Sequence, residues 1–213
     1  VKNRWMIPTP PARAMAMVAF GRARRWSSCS GSPGRPTGTL VGVGGTASLA
    51  SDRPKRGPHR AHVALQTEST TTTCSLHLTG GARTRAEEER LVGELILDSM
   101  AAATGLNVPT LRGELESDER LEVLRTVAPS GWRELLMGLR PSTLFREDGV
   151  STEPPRIVFP GAFHPLHAGH QAMARVAERR YGVPVAFELS IENVDKPPLD
   201  YSEIAARGEQ FGE

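Results

Sequence analysis

Apolar residues along this chain fall into two kinds of pattern, helical stripes and short β-branched runs, and their order predicts most of its elements. Pro11 to Trp26 is rich in Ala and Met and predicts a helix, with Met15, Val18 and Ala19 on one side. Ser27 to Gly38 is a Ser/Gly/Pro loop. Thr39 to Val43 predicts a short strand. Ala61 to Gln66 and Thr70 to Leu78 predict two more, neighbours in one sheet, because both are β-branched and a polar turn separates them. Thr84 to Ala103 is the clearest helix. Thr84 and Glu87 form a T-x-x-E capping box, Leu91/Leu95 and Val92/Ile96/Met100 recur at helical spacing, and Gly105 stands at the expected stop.

Beyond it, Leu121 to Val127 reads as a strand, and Trp132, Leu135, Leu136 and Leu139 fit a short helix. The polar, Pro-containing stretch Phe145–Arg156 predicts a linker. A second unit opens with Ile157, Val158 and Phe159 as a buried strand. A Gly/Pro loop, a helix from about Leu166 to Tyr181 closed by Gly182, and a strand Val185–Ile191 follow. Asp200 with Glu203 caps a last helix running towards Phe211. Strand, loop, helix and strand in this order open a parallel α/β sheet. The expected domains are 1–105, a connecting region 106–155, and 156–213.

Composition narrows the class. The chain has 213 residues, 38% of them hydrophobic, with a mean hydropathy of −0.32. That suits a globular chain and not a disordered one. No run approaches the roughly 20 apolar residues of a membrane helix, so no membrane partner is expected. The N-terminus lacks a signal-type apolar core, and the start at Val1 reads as a fragment or processed form. Cys29 and Cys74 show neither metal-type spacing nor a disulfide framework, which points to a reducing, cytoplasmic location. Net charge is +2, yet residues 1–60 carry Asp52 as their only acidic residue. This basic third reads either as a solvated face or as a surface for nucleic acid or phosphorylated ligands. No interleaved aromatics support nucleic-acid stacking, so nucleic acid is not an expected partner.

The candidate chemistry lies between Phe159 and the following helix. A helix N-terminus offers free backbone N–H groups and a partial positive charge to an anion. Gly161 is expected to let the backbone turn tightly after the strand. His167 and His170, three apart, are expected to share one face of the first helical turn and to face a cavity. Gly169 between them is expected to leave the helix flank bare for a base or ribose. Two imidazoles there would donate to phosphate oxygens, more strongly as charge moves to a leaving pyrophosphate. Three alternatives stay open: a zinc site from His164, His167 and His170, although no carboxylate lies in the loop; a purely structural His pair; and an anion site without catalysis. No metal ligand is assigned.

The run Pro160-Gly161-Ala162-Phe163-His164-Pro165-Leu166-His167-Ala168-Gly169-His170 resembles the G-x-F-x-P-x-H-x-G-H motif of the cytidylyltransferase-like nucleotidylyltransferase superfamily. The resemblance implies a Rossmann-like fold, ATP or CTP as substrate, Mg²⁺, and release of pyrophosphate. It implies that His167 and His170 contact the triphosphate catalytically, and that Gly161, Ala162, Phe163, His164 and Gly169 form the nucleotide-binding loop. His164 stands where many members have Asp or Asn. Lys196, in Asp195-Lys196-Pro197-Pro198-Leu199, resembles the basic residue before a Pro-Leu turn in some members and is a further nucleotide-binding candidate; a solvated loop lysine is the competing reading. The family's second phosphate-binding motif, of the I-S-[ST]-x-x-[RK] type, is expected beyond this point and does not occur in this chain.

Gly42-Val43-Gly44-Gly45-Thr46-Ala47-Ser48-Leu49, with Asp52-Arg53-Pro54-Lys55-Arg56-Gly57 and His62-Val63-Ala64-Leu65, resembles the C-terminal part of the CinA-type nicotinamide-nucleotide amidases. No catalytic residue carries over, because that family's nucleophile segment lies earlier. The Asp52–Arg60 run reads as a charged loop or as a phosphate-binding one. The expected fold class is α/β: an amidase-like α/β domain followed by the first half of a Rossmann-like parallel-sheet nucleotidylyltransferase domain. The leading expectation is nucleotidyl transfer, adenylyl above all, from a nucleoside triphosphate to a phosphorylated small molecule such as nicotinate or nicotinamide mononucleotide. Amide hydrolysis of a nicotinamide nucleotide and non-catalytic nucleotide binding are the alternatives. A homo-oligomer is compatible with either.

Overall fold

The computed structural model describes residues 10–29, 39–53, 57–106, 111–144, 154–192 and 197–211. The chain divides into two compact units, Val1–Pro129 and Ser130–Glu213. Both mix α and β, one around an antiparallel sheet and the other around a parallel pair. Among the described residues, no helix is long and apolar enough to cross a membrane.

The first unit is built on four antiparallel strands, β1 (Gly42–Ser48), β2 (His59–Gln66), β3 (Thr70–Leu78) and β4 (Arg120–Val127), in that spatial order. The expected pairing of β2 with β3 holds, from His59 opposite Leu78 to Gln66 opposite Thr71. The turn between them is tied by Thr67, whose hydroxyl accepts the Thr70 N–H at 2.9 Å. Strand β4 lies along β3 from Thr70–Val127 to His77–Arg120. Part of the expected connecting region thus belongs to this sheet.

One face of the sheet is covered by α2 (Arg85–Ala103). Ala61, Val63 and Leu65 of β2 and Cys74, Leu76 and Leu78 of β3 meet Leu91 and Leu95 there. The Thr84/Glu87 capping box forms as expected, and Gly105 adopts φ 80° just past the helix. Met100, expected on the apolar face, is 41% exposed. The fully buried positions of the helix end at Leu95, while Ile96 and Ala103 further along pack against the same core only in part.

The other face receives α1 (Pro10–Cys29). Its buried stripe is Ala12, Ala16, Met17 and Phe20; Met15 and Val18, expected together on one side, are exposed. That face combines the small Ala12 and Ala16 with the large apolar Met17 and Phe20. A Cβ on Gly42 would lie 2.1 Å from the Ala16 carbonyl oxygen, and one on Gly44 would lie 2.3 Å from that of Ala12. Helix backbone rests directly on strand backbone, which the missing Cβ at Gly42 and Gly44 permits. The Gly-Val-Gly-Gly run is thus a helix-packing surface, and the strand expected at Thr39–Val43 runs instead from Gly42 to Ser48.

The second unit contains α3 (Ser130–Leu136), β5 (Ile157–Gly161), α4 (Ala168–Tyr181), β6 (Val185–Leu189) and α5 (Tyr201–Gly208), with a 3₁₀ turn Glu209–Phe211 after it. Trp132 and Leu136 are buried as expected, but Leu139 is exposed, because Gly138 turns left-handed (φ 70°) and ends the helix first. Strands β5 and β6 pair in parallel, Ile157 opposite Val185 through Gly161 opposite Leu189. The expected strand–helix–strand order is present, as a two-stranded sheet. Strand β5, expected to be buried, is only half so, and Val158 is 41% exposed. Gly182 closes α4 with φ 67° and donates to the Glu178 carbonyl at 2.8 Å. Asp200 caps α5 by accepting the Glu203 N–H at 2.9 Å.

Candidate functional site

Strand β5 delivers the chain into the loop 162–167, and the loop is organised around one ring. Phe163 is 1% exposed. Its side chain meets Phe187 and Phe211, each at 5.3 Å, Phe159 at 5.9 Å and the His170 imidazole at 5.3 Å, all edge to face. Gly161 serves this ring. A Cβ there would stand 2.6 Å from the Phe163 ring, so glycine is needed for close packing and not, as expected, for the turn itself. The left-handed backbone falls instead on Phe163, with φ 44°, and the following His164–Pro165 bond is cis.

The far end of the unit ties the loop down. Arg207 Nη1 donates to the Ala162 carbonyl at 2.8 Å, while its Nε and Nη2 both donate to Glu203 Oε1. Gln210 accepts the Leu166 N–H at 2.7 Å and donates to the Phe163 carbonyl at 3.1 Å. Arg207 and Gln210 satisfy loop groups that would otherwise be unpaired, and Glu203 holds the Arg207 guanidinium in place. The helical pattern contained the Glu203–Arg207 pair at i, i+4, but nothing in the sequence linked it to residues about forty positions earlier.

Helix α4 begins at Ala168, two residues later than expected, and His167 is its N-cap in extended conformation (φ −141°, ψ 168°). His167 and His170 therefore do not share a helical turn, yet they meet. Their rings stack with centroids 3.7 Å apart and planes 24° from parallel. The His167 N–H donates to His170 Nδ1 at 3.3 Å. Since Nδ1 accepts, the neutral His170 ring carries its proton on Nε2, a donor. The Gly169 flank is not bare, as expected, but filled by the folded-back His167 ring, which a Cβ would approach to 3.0 Å. His170 and Gln171 N–H groups both turn to the His167 carbonyl. The N–H groups of Ala168 and Gly169, at the helix start, keep no partner among the described residues.

His164 lies apart from this pair. It is exposed, with Nδ1 3.5 Å from Glu203 Oε1. Lys196 lies outside the described residues. Among the described residues, no group of three or more His, Cys, Asp or Glu side chains is placed to hold a metal ion. Mg²⁺ takes oxygen ligands, whereas this loop presents imidazoles, so the protein side chains here do not fit that ion. The loop thus offers one imidazole donor, a stacked second imidazole and two free N–H groups, all at the positive end of α4.

No protein-family model matches the chain, and neither the curated proteins nor the solved structures contain a match to it.

Proposed function

We propose that the second unit binds the triphosphate of a nucleoside triphosphate and transfers its nucleotidyl group to a phosphorylated small molecule. The observation that carries this reading is the stacked His167–His170 pair at the start of α4, with His170 Nε2–H left as a donor. In the reaction, an acceptor phosphate oxygen attacks the α-phosphorus, the bond from that phosphorus to the bridging oxygen breaks, and pyrophosphate leaves. Negative charge grows on the leaving group. The His170 donor, the His167 ring and the Ala168 and Gly169 N–H groups are fixed before the reaction, so they stabilise that charge without reorganising.

The H-x-G-H resemblance supports ATP or CTP as donor, and the parallel β5–α4–β6 unit fits the start of a Rossmann-like sheet. The acceptor, a pyridine mononucleotide, rests on resemblance alone. The test is pyrophosphate release with ATP or CTP, Mg²⁺ and nicotinate mononucleotide. His170→Ala should lower the rate about 10²–10³-fold, the usual cost of one preorganised donor. Release that is unchanged in the His167→Ala/His170→Ala double variant would overturn the reading.

A further inference from the structure

The first unit holds a second candidate site, built on a buried pair that the proposed transfer does not use. His59 opens β2 and is 7% exposed; Glu88, in the first turns of α2, is 1% exposed. Glu88 Oε1 lies 2.6 Å from His59 Nδ1, and its Oε2 accepts the Ala50 N–H at 2.7 Å. A carboxylate that only accepts fixes the proton on Nδ1 and turns Nε2 to the other side. There His59 lines an open cleft of about 530 Å³, a size that suits a small metabolite.

The cleft wall is basic. Arg53, Arg83 and Arg85 line it against Asp52, and it opens beside the Thr84 cap of α2. Arg83 and Arg85 are engaged by Glu119 and Glu89. The Arg53 guanidinium makes no hydrogen bond or ion pair with another described residue. A buried imidazole oriented by a carboxylate and a guanidinium with no partner among the described residues thus converge on one volume. We propose that this cleft binds a small phosphate ester carrying neighbouring hydroxyl groups.

Each part of such a ligand has a counterpart. Arg53 takes two phosphate oxygens as a fork. A third oxygen shares one proton with His59 Nε2. If the ester is a monoanion, its P–O–H donates to the ring; if it is a dianion, the protonated ring donates to it. Asp52, which would repel a bare anion, accepts from a hydroxyl of the ester. Gly80 keeps the passage to Nε2 open. A Cβ there would lie 3.7 Å from Nε2, an ordinary contact, so a side chain can be added without disturbing the backbone.

The test uses the full chain in a His167→Ala/His170→Ala background, so that phosphate binding in the second unit does not contribute. Glycerol 3-phosphate and inorganic phosphate are titrated while the His59 ring signals, assigned with His59→Gln, are followed by NMR. The expected result is a saturable shift, tighter for glycerol 3-phosphate than for phosphate. Arg53→Ala, an exposed change that leaves the core intact, should weaken binding about tenfold or more. Gly80→Leu should abolish the shift, and Asp52→Ala should remove the preference for the ester. Unmoved His59 signals, or the same shift produced by chloride at equal ionic strength, would overturn the proposal. So would binding that survives both Arg53→Ala and Gly80→Leu, and equal affinity for phosphate and ester overturns the hydroxyl assignment.

Discussion

The His167 N–H donates to His170 Nδ1 at 3.3 Å, and the two imidazoles stack 3.7 Å apart. One ring nitrogen of His170 is therefore structural and the other chemical. Two substitutions separate them. Asn places its amide oxygen near the Nδ1 position, and Gln places its amide nitrogen near Nε2. His170→Asn should keep the cap but lose about 10²–10³-fold in pyrophosphate release. His170→Gln should retain more activity with a lower unfolding temperature. Equal losses in the two variants would show that the ring acts through packing.

Gly161→Ala should destabilise the second unit. The new methyl group meets the Phe163 ring at 2.6 Å, and the ring is held on several sides by Phe159, Phe187, Phe211 and His170. Overpacking of this kind typically costs about 1–3 kcal/mol. Urea denaturation followed by near-UV circular dichroism of the aromatic cluster measures it, and an unchanged midpoint would show that the ring can retreat.

In the first unit, Gly44→Ala should cost at least as much, because its methyl group meets helix backbone at 2.3 Å, and backbone cannot rotate away. Gly45→Ala, one residue on, finds only the His62 carbonyl oxygen at 3.7 Å and should be nearly neutral. The contrast between adjacent positions tests the contact of α1 with β1 directly.

These elements also show what the sequence made legible. Thr84, Glu87, Leu91 and Leu95 act within one helix, and local rules predict such elements well. The β2–β3 pair was equally legible, since a short turn joins neighbouring strands. The inward face of α1 was not, because its contact is made with glycines about thirty residues later. His59 and Glu88 are 29 positions apart, and Arg207 lies 45 positions from Ala162. Neither pairing has a spacing signal, since tertiary folding alone brings the partners together. The loop at Gly161 was recognisable from its residue order, yet both of its glycines make room for rings, a role that only the packed structure displays.

Acid should weaken the first unit in two stages. Burial, then the positive charges of Arg60 and Arg120, hold His62 and His77 below the ordinary histidine value. Glu119, despite its burial, is held below the usual carboxylate range by Arg83 and by the Thr79 and Glu116 N–H groups. A group whose folded pKa lies below its unfolded value contributes stability above the unfolded pKa and loses it as pH falls. The histidine contribution should therefore fade as pH drops below about 6.5, and that of Glu119 below about 4.3. Urea midpoints across this range should fall in both stages. The first should flatten in His62→Gln/His77→Gln and the second in Glu119→Gln. A midpoint that rises on acidification would contradict the sign of both.

Gln210 provides the strongest test of how the candidate loop is held. Its side chain accepts the Leu166 N–H and donates to the Phe163 carbonyl, spanning the segment between the buried ring and His167. Removing it leaves two backbone groups to find water, at a cost of about 1–3 kcal/mol if they stay buried. The Leu166 amide is half-buried and close to solvent, so the cost should appear as local loosening, not global unfolding. Gln210→Ala should speed hydrogen exchange at Leu166 while leaving amides of β6 protected. Triphosphate binding should weaken with it, because His167 follows Leu166 directly and loses its fixed approach to the helix. Gln210→Glu keeps the acceptor for Leu166 but loses the donor to Phe163, so it should restore slow exchange at Leu166 and part of the binding. If Gln210→Ala speeds exchange without changing triphosphate affinity, the His167–His170 pair is positioned by α4 alone, and the anchors on α5 serve only stability.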